Sequence, residues 1–378
     1  MSWRVQIAGA GIAGLTTALF LARAGFEVDV AERALSLEPV GAGLQLSPNA
    51  TRLLDRLGLL PALQAASVAP EAIELRDARN LKPLASVTLG DFAARRWGAP
   101  YLVIHRGDLQ RILLDAALRE PQINIRFGSE IDPSTNADLT IGADGVWSTM
   151  RARIPGASPA SFSGHVAWRA LVEAGHSAFA DLAAQLSPTN VSALLAPSFH
   201  LVAYPVRQGQ AINLVAIMPG KAGAEGWSQG VADMAPLPND RSGALRDLLS
   251  GVGGWTRWPL YAVEPSGKWG DASGFLVGDA AHAMTPYAAQ GAAMAIEDGA
   301  ALAAALIASS DIASALARYE AVRRPRLSRV AGRARFNRFV WHAAGPIAIA
   351  RNLALKTRDP QRLAADFDWL YGHDASAL

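Results

Sequence analysis

Apolar positions in the first third of the chain come in two periods. Val5-Gln6-Ile7-Ala8 reads as a buried strand, and Leu15–Arg23 carries apolar residues at helical spacing, with Gly25 where a helix C-cap belongs. Val28-Asp29-Val30 predicts a second short strand ending at Glu32-Arg33. Ala137–Gly145 reads as a strand running into a tight turn, with Ser148 and Arg151 on a short helix beyond it. From Ser161 to Leu260 the pattern changes. Val166–Ala170, Val191–Leu195, His200–Val206 and Ala211–Ile217 are short strand-like runs separated by turns, which predicts an antiparallel sheet. The strand–helix pattern then returns: a buried strand from Phe275 ending at Gly278-Asp279, a long loop, and a helix from Ala292 to about Ser309.

This arrangement predicts an α/β chain with a Rossmann-like nucleotide-binding domain, an inserted antiparallel β-sheet domain and C-terminal helices. The expected boundaries are 1–70, 100–160 and 268–330 for the first domain, 71–99 and 161–267 for the second, and 331–378 for the helical segment. A length of 378 residues suits about two cores, and 51% hydrophobic residues can fill them. Val5–Ala22 resembles a secretory leader, but its glycine spacing is that of a structural motif, and no apolar run elsewhere is long enough to span a bilayer. With no cysteine, disulfides, thiolate metal sites and thiol nucleophiles are excluded, and a cytoplasmic location is expected. The seven histidines are scattered without ligand spacing, so no metal site is expected. Net charge is +2, yet arginines crowd between Arg318 and Arg338. No nucleic-acid motif accompanies them. They predict the solvated face of a long helix whose inward residues include Tyr319, Val322, Leu327, Val330 and Phe336.

The chemistry begins at Gly9-Ala10-Gly11-Ile12-Ala13-Gly14. Gly9 permits the tight strand-to-helix turn, Gly11 lets backbone approach a pyrophosphate, and Gly14 lets helix and strand pack closely, while the helix N-terminus offers free N–H groups to phosphate. Glu32, at the end of the next strand, is placed to accept from adenosine ribose hydroxyls and disfavours a 2′-phosphate, leaving FAD and NAD. The Gly278-Asp279 strand end and the helix start at Gly291-Ala292 separate the two: an aspartate can accept from a ribityl hydroxyl, and a helix N-terminus can stabilise charge on a reduced ring.

Together these elements resemble the group A flavoprotein monooxygenases. These are the para-hydroxybenzoate hydroxylase-like enzymes of the GR2 flavoprotein type, and in particular the salicylate hydroxylase and 6-hydroxynicotinate 3-monooxygenase branch. Gly9–Gly14 matches the family's adenosine-diphosphate motif, Gly142-Ala143-Asp144-Gly145 its Asp-Gly motif and Gly278-Asp279 its Gly-Asp motif. Gly41–Ala50, with Gln45, resembles the loop near the flavin, His105–Leu109 the segment whose arginine, here Arg106, approaches FAD, and Arg318–Arg326 the closing helix. The resemblance implies non-covalent FAD contacted by these residues together with Arg33, NADH or NADPH as co-substrate, and hydroxylation of a small aromatic or N-heteroaromatic substrate by O2 through a flavin C4a-hydroperoxide. One residue departs. Ala289 stands where many members have glycine, and alanine prefers negative φ.

Such chemistry needs a base to deprotonate a ring hydroxyl and a dry pocket. His200 and Tyr204, four apart on one strand, are the catalytic candidates: they face the same side and are expected to share one pocket, where they could relay a proton. His200-x-x-x-Tyr204-Pro205 also resembles the substrate strand of the 6-hydroxynicotinate and 3-hydroxybenzoate hydroxylase relatives. Pro286, Gln290 and Trp168 are expected to line the pocket, Arg169 and Arg207 are candidates to anchor a carboxylate, and His282 reads as structural. The expected partners are the aromatic substrate, O2 and NAD(P)H, with no nucleic acid and no stable membrane insertion, in a monomer or homodimer. The alternatives are an NAD-dependent dehydrogenase, a flavin enzyme of the same fold with other chemistry (a reductase, a halogenase or a urate-type hydroxylase), and a flavin-binding protein without turnover.

Overall fold

The computed structural model describes residues 3–37, 43–131, 137–223, 229–232, 235–238, 243–271 and 274–376. Gly41 and Ala42 of the expected flavin loop lie outside them. In chain order, β1 (Arg4–Ala8) and β2 (Glu27–Glu32) flank the helix Ile12–Arg23. They are followed by β3 (Gly43–Leu46), β4 (Ala72–Asp77), β5 (Pro83–Thr88), β6 (Leu102–His105), β7 (Ile123–Phe127) and β8 (Leu139–Gly142). The run β9 (Ala160–Glu173), β10 (Val191–Ala196), β11 (Phe199–Val206), β12 (Ala211–Pro219), β13 (Gln229–Ala232) and β14 (Trp255–Val263) precedes the short β15 (Gly270–Asp271) and β16 (Gly274–Leu276).

One sheet has the order β15-β16-β8-β1-β2-β7. All of its pairings are parallel except β15–β16. Parallel pairing sends the C-terminal ends of β1, β2, β8 and β16 to one edge. Gly9, Glu32, Asp144 and Gly278 therefore arrive together from four separate parts of the sequence, at the edge where open α/β sheets bind ligands. The glycine turn is sterically obligatory. Gly9 has φ +98°, and a Cβ on it would stand 2.8 Å from the Ala143 carbonyl oxygen; one on Gly14 would collide with the Gly9 carbonyl oxygen.

The second sheet has the order β13-β14-β9-β12-β11-β10-β4-β5. It is antiparallel as expected except where β10 pairs parallel with β4, in the register Val191↔Ile73. β4 enters from the first layer rather than through a hairpin, so its direction is free of the alternation that tight turns impose. Alternate residues of this sheet serve different layers. Trp168, Ala170, Leu201, Ala203, Leu214 and Ala216 pack into an outer cluster, whereas Ala167, Tyr204, Val206, Ala211 and Ile217 pack inward. A small ribbon pairs β3 with β6 and meets the large sheet at Gly43, beside Tyr204 and Asn213.

The segment after β16 is less open than its sequence predicts. Single helical turns occupy Asp279–His282 and Pro286–Ala288 before the helix Gly291–Ile307. Beyond it runs the helix Ile312–Trp341. Its inward face corrects the sequence expectation: Tyr319, Leu327 and Val330 are buried, but Val322 and Phe336 are 39% and 57% exposed. Arg323, only 1% exposed, and Arg326 take the inward positions instead. None of the helices among the described residues is long and apolar enough to cross a membrane.

Candidate active site

The site builds from the shared edge. The carboxylate of Glu32 closes the glycine turn, accepting from Ala10 N at 2.8 Å and from Ala34 N at 2.9 Å. Arg33 is exposed beside it. Asp144 caps the helix Thr149–Ala152, its Oδ2 accepting from Thr149 N at 2.8 Å and Met150 N at 3.1 Å, while Oδ1 is buried without a partner. Arg106, first residue of the helix Arg106–Ala117, and Asp279 interact electrostatically across the gap between β6 and β16. Asp279 is accessible to solvent yet enclosed by protein, as for a side chain lining an internal channel. That enclosure raises its pKa, opposed by His282 and Arg106.

The inner face of the large sheet covers the far side of this channel. Tyr204 on β11 is buried with its ring against the backbone of Gly43, and Asn213 Oδ1 accepts from Gly43 N at 2.7 Å. The same stretch of β3 holds Gln45, whose Oε1 accepts from the Tyr101 hydroxyl at 2.7 Å. Arg169 on β9 points inward beside Tyr204. Its guanidinium lies 4.8 Å from the Trp258 ring centroid, and its Nε is buried with no hydrogen-bond partner. Burial, with the like charge of Arg106, lowers its pKa to about 10. Trp168, one residue earlier, packs into the outer cluster. The strand's two-residue alternation takes it away from the site and brings Arg169 in.

The loop before the helix Gly291–Ile307 closes the channel's rim. Pro286 is half-buried, and buried Gln290 donates from Nε2 to Ser47 Oγ at 3.0 Å. Ala289, at φ 51° and ψ 36°, adopts the left-handed conformation that its side chain disfavours. His200 and Tyr204 lie on the same face of β11 but do not meet. Four strand residues separate their Cα atoms by about 13 Å, and His200 bonds instead to His342, Nδ1 to Nε2 at 2.8 Å. A direct proton relay between His200 and Tyr204 is therefore not what the geometry provides. Arg207 is at the surface, paired with Glu173 at 2.6 Å.

A sequence model of the FAD binding domain matches residues 2–136 and 132–334.

The chain belongs to the FAD-binding domain family.

Among its relatives, 3-hydroxybenzoate 6-hydroxylase of Klebsiella oxytoca is 35% identical, with 98% of this chain and 96% of the relative covered. The 6-hydroxynicotinate 3-monooxygenase of Pseudomonas fluorescens is 31% identical over 86% of this chain and 89% of its own. A solved salicylate hydroxylase–substrate complex superposes with a TM-score of 0.77 at 26% identity, covering 100% of this chain and 97% of that one. This member is thus an FAD-dependent group A aromatic monooxygenase, drawing on NAD(P)H and O2.

The residues present fit an FAD. A Cβ on Gly11 or on Gly291 would meet nothing within 4 Å, so backbone at the starts of both helices faces open space. The enclosed Arg106 and Asp279 and the orphaned Asp144 Oδ1 add polar atoms to the same channel. A network that sequence reasoning missed holds the Gly278 turn and the Ser47–Asn49 segment. Asp298 Oδ2 accepts from Gly278 N at 2.8 Å and contacts His282 Nε2 at 2.6 Å, while its Oδ1 receives Arg323 Nε at 2.7 Å. Glu297 pairs with Arg323 at 2.5 Å and Arg326 at 2.8 Å, and accepts from Asn49 Nδ2 at 2.7 Å. Burial alone would raise both carboxylates. For Asp298, His282 and then Arg323 hold it below the usual range; for Glu297, Arg323 and Arg326 do so. The available signal was Arg323 and Arg326 standing at helical spacing with Tyr319, Leu327 and Val330.

Proposed function

We propose that this monooxygenase hydroxylates a small ring-hydroxylated aromatic acid, benzenoid or N-heteroaromatic, held between the inner face of the large sheet and the Pro286–Gln290 loop. The observation that carries the reading is Arg169, a half-buried cation whose buried Nε has no hydrogen-bond partner, beside Tyr204 on the face turned toward the cofactor channel. A carboxylate is the group that such a guanidinium recognises best. The two curated relatives named above act on a hydroxybenzoate and a hydroxynicotinate.

In this reading Gly9–Gly14 and the following helix N-terminus hold the FAD pyrophosphate, and Glu32 and Arg33 the adenosine ribose. Arg106, Asp144, Gly278 and Asp279 hold the ribityl and phosphate region, and Gln45, Gly291 and Ala292 border the ring. When bound there, FAD would supply the oxygen-transfer chemistry, with NADH or NADPH as reductant, one oxygen atom going to the substrate ring and the other to water. The protein's own residues do the rest. Arg169 orients the substrate through its carboxylate. His200 takes the ring-hydroxyl proton, which enriches the ring in electrons. Tyr204, kept protonated because burial raises its pKa, donates a hydrogen bond. Pro286, Gln290, Trp258 and Tyr287 wall the pocket from water. The working unit is a monomer or homodimer, which light scattering decides.

The test follows NADH and NADPH oxidation by the FAD-loaded protein against hydroxybenzoates, hydroxynicotinates and their decarboxylated analogues, with ¹⁸O2 and mass analysis of product. The expected result is stimulation by carboxylated phenols and a product heavier by one labelled oxygen. Arg169→Met should raise KM for the acid by about tenfold or more, as a charged hydrogen bond of about 1.5–3 kcal/mol is lost, and should leave decarboxylated analogues unaffected. Bound flavin with no stimulation by any aromatic would overturn the reading.

A further inference from the structure

Tyr287, in the loop beside the cofactor channel, is ringed by histidines from three distant parts of the chain. The centroids of His165 on β9, His200 on β11 and His342 beyond the long helix lie 5.9, 5.4 and 5.5 Å from its own. Trp341 stands edge-on to His200 at 4.9 Å. His200 is 1% exposed, and the His342 contact is its one side-chain hydrogen bond among the described residues. His342 is fixed at the other end: its carbonyl accepts from Ser198 N at 3.2 Å, which pins the end of the helix to the β10–β11 turn. Its ring is only partly buried. His342 also lies beyond residue 334, where the family match ends.

Two imidazole nitrogens at this separation share one proton, and which ring owns it decides what His200 can do. If His342 Nε2–H donates, His200 carries its own proton on Nε2 and is no base. If His200 Nδ1–H donates, Nε2 holds a lone pair. We propose that His342 is the positioning residue of His200 and its proton outlet, setting the tautomer of the buried base and passing its proton toward solvent. The proposal rests on the assignment of His200 as base. One proton enters at His200 Nε2, one crosses from Nδ1 to His342 Nε2, and one leaves from His342 Nδ1, so the pair gains no net charge. The reverse passage, as the product hydroxyl re-forms, restores both tautomers. The surroundings favour passage over storage. His342 is held down to about 4 by burial and by His165 and Arg338, and His200 is lowered by burial, His342 and His165. The other titratable groups around the pair are the Tyr287 phenol from the loop and Arg338 from the long helix.

The experiment uses the FAD-loaded full chain and the hydroxybenzoate or hydroxynicotinate that stimulates NAD(P)H oxidation. Stopped-flow indicator absorbance reads proton release on binding, and steady state gives kcat and KM across pH. His342→Gln can still hydrogen-bond but cannot pass a proton. It is expected to slow release and kcat about tenfold or more, within the range of general acid–base effects, with FAD content and KM within about twofold. His342→Ala should show the same loss and recover at least half of it in imidazole buffer, which a merely structural role would not. Wild-type release and kcat in His342→Gln, or a loss in His342→Ala that imidazole leaves unchanged, would sink the proposal. His200→Gln separates the underlying reading: undiminished hydroxylation there removes His200 as base, whatever His342 does.

Discussion

Ala289 shows how one residue carries the cost of a site. The turn Pro286–Ala288 must reverse sharply for the helix Gly291–Ile307 to start at the cofactor channel, and Ala289 makes that reversal at φ 51°. For an L-residue this conformation costs about 1–2 kcal/mol, which glycine avoids. Strain of this kind persists where surrounding contacts over-determine the backbone. Here Gln290 bonded to Ser47 and Asn337 Nδ2 donating to Tyr287 O at 2.9 Å hold both sides of it. Ala289→Gly should therefore stabilise the protein by about 1 kcal/mol in chemical denaturation, less the extra entropy that glycine gives the unfolded chain. FAD should still bind. A destabilised Ala289→Gly would mean that the methyl group packs to more effect than its backbone strain.

At the scale of elements, the helix Ile312–Trp341 is a carrier of buried charge. Its arginines spread over several roles. Arg324 lies over Trp269 at 4.2 Å, Arg329 over Trp369 at 4.1 Å and Arg333 over Phe367 at 4.5 Å, while Arg323 and Arg326 pass inward. A buried pair contributes little net stability, but removing one partner strands the other charge. Arg323→Met should cost about 3–5 kcal/mol and lower FAD occupancy, because Asp298 also fixes the Gly278 N–H. Adding Asp298→Asn should recover part of that loss, because Glu297 keeps Arg326 as its partner. Equilibrium unfolding of the single and double variants, with flavin absorbance, checks both statements; an Arg323→Met protein as stable as wild type would mean the network is neutral at that position.

Across the whole molecule, the large sheet and the C-terminal helices meet at the His165–His200–His342 cluster, and this junction ties stability to pH. His342 has a folded pKa of about 4 against an ordinary 6.5, and that of His200 is also lowered. The unfolded chain therefore binds more protons than the folded one below about pH 6.5. The stability contributed by the neutral pair is complete above that value and is lost as pH falls toward 4. Melting temperature should fall over this window, and His342→Gln should flatten the fall. A fall unchanged in that variant would assign acid sensitivity to other groups.

What the sequence determined by itself is local. The glycine turn, the strand before it, the helix after it and the acidic residue at the end of β2 are set by sterics and periodicity within some thirty residues, and the strands β9 to β12 declare themselves as short apolar runs bounded by turns. The family resemblance follows from the same short segments. The tertiary structure decided everything that depends on which face meets which. It turned Arg169 inward and Trp168 outward, one residue apart on β9. It put Arg323 and Arg326 inside a helix that composition reads as solvated. It paired β4 parallel with β10, and it joined His200 to His342 across 142 positions of sequence. A side chain's own chemistry fixes what it can bond, but its partner is chosen by the packing of elements whose contacts leave no periodic trace in the chain.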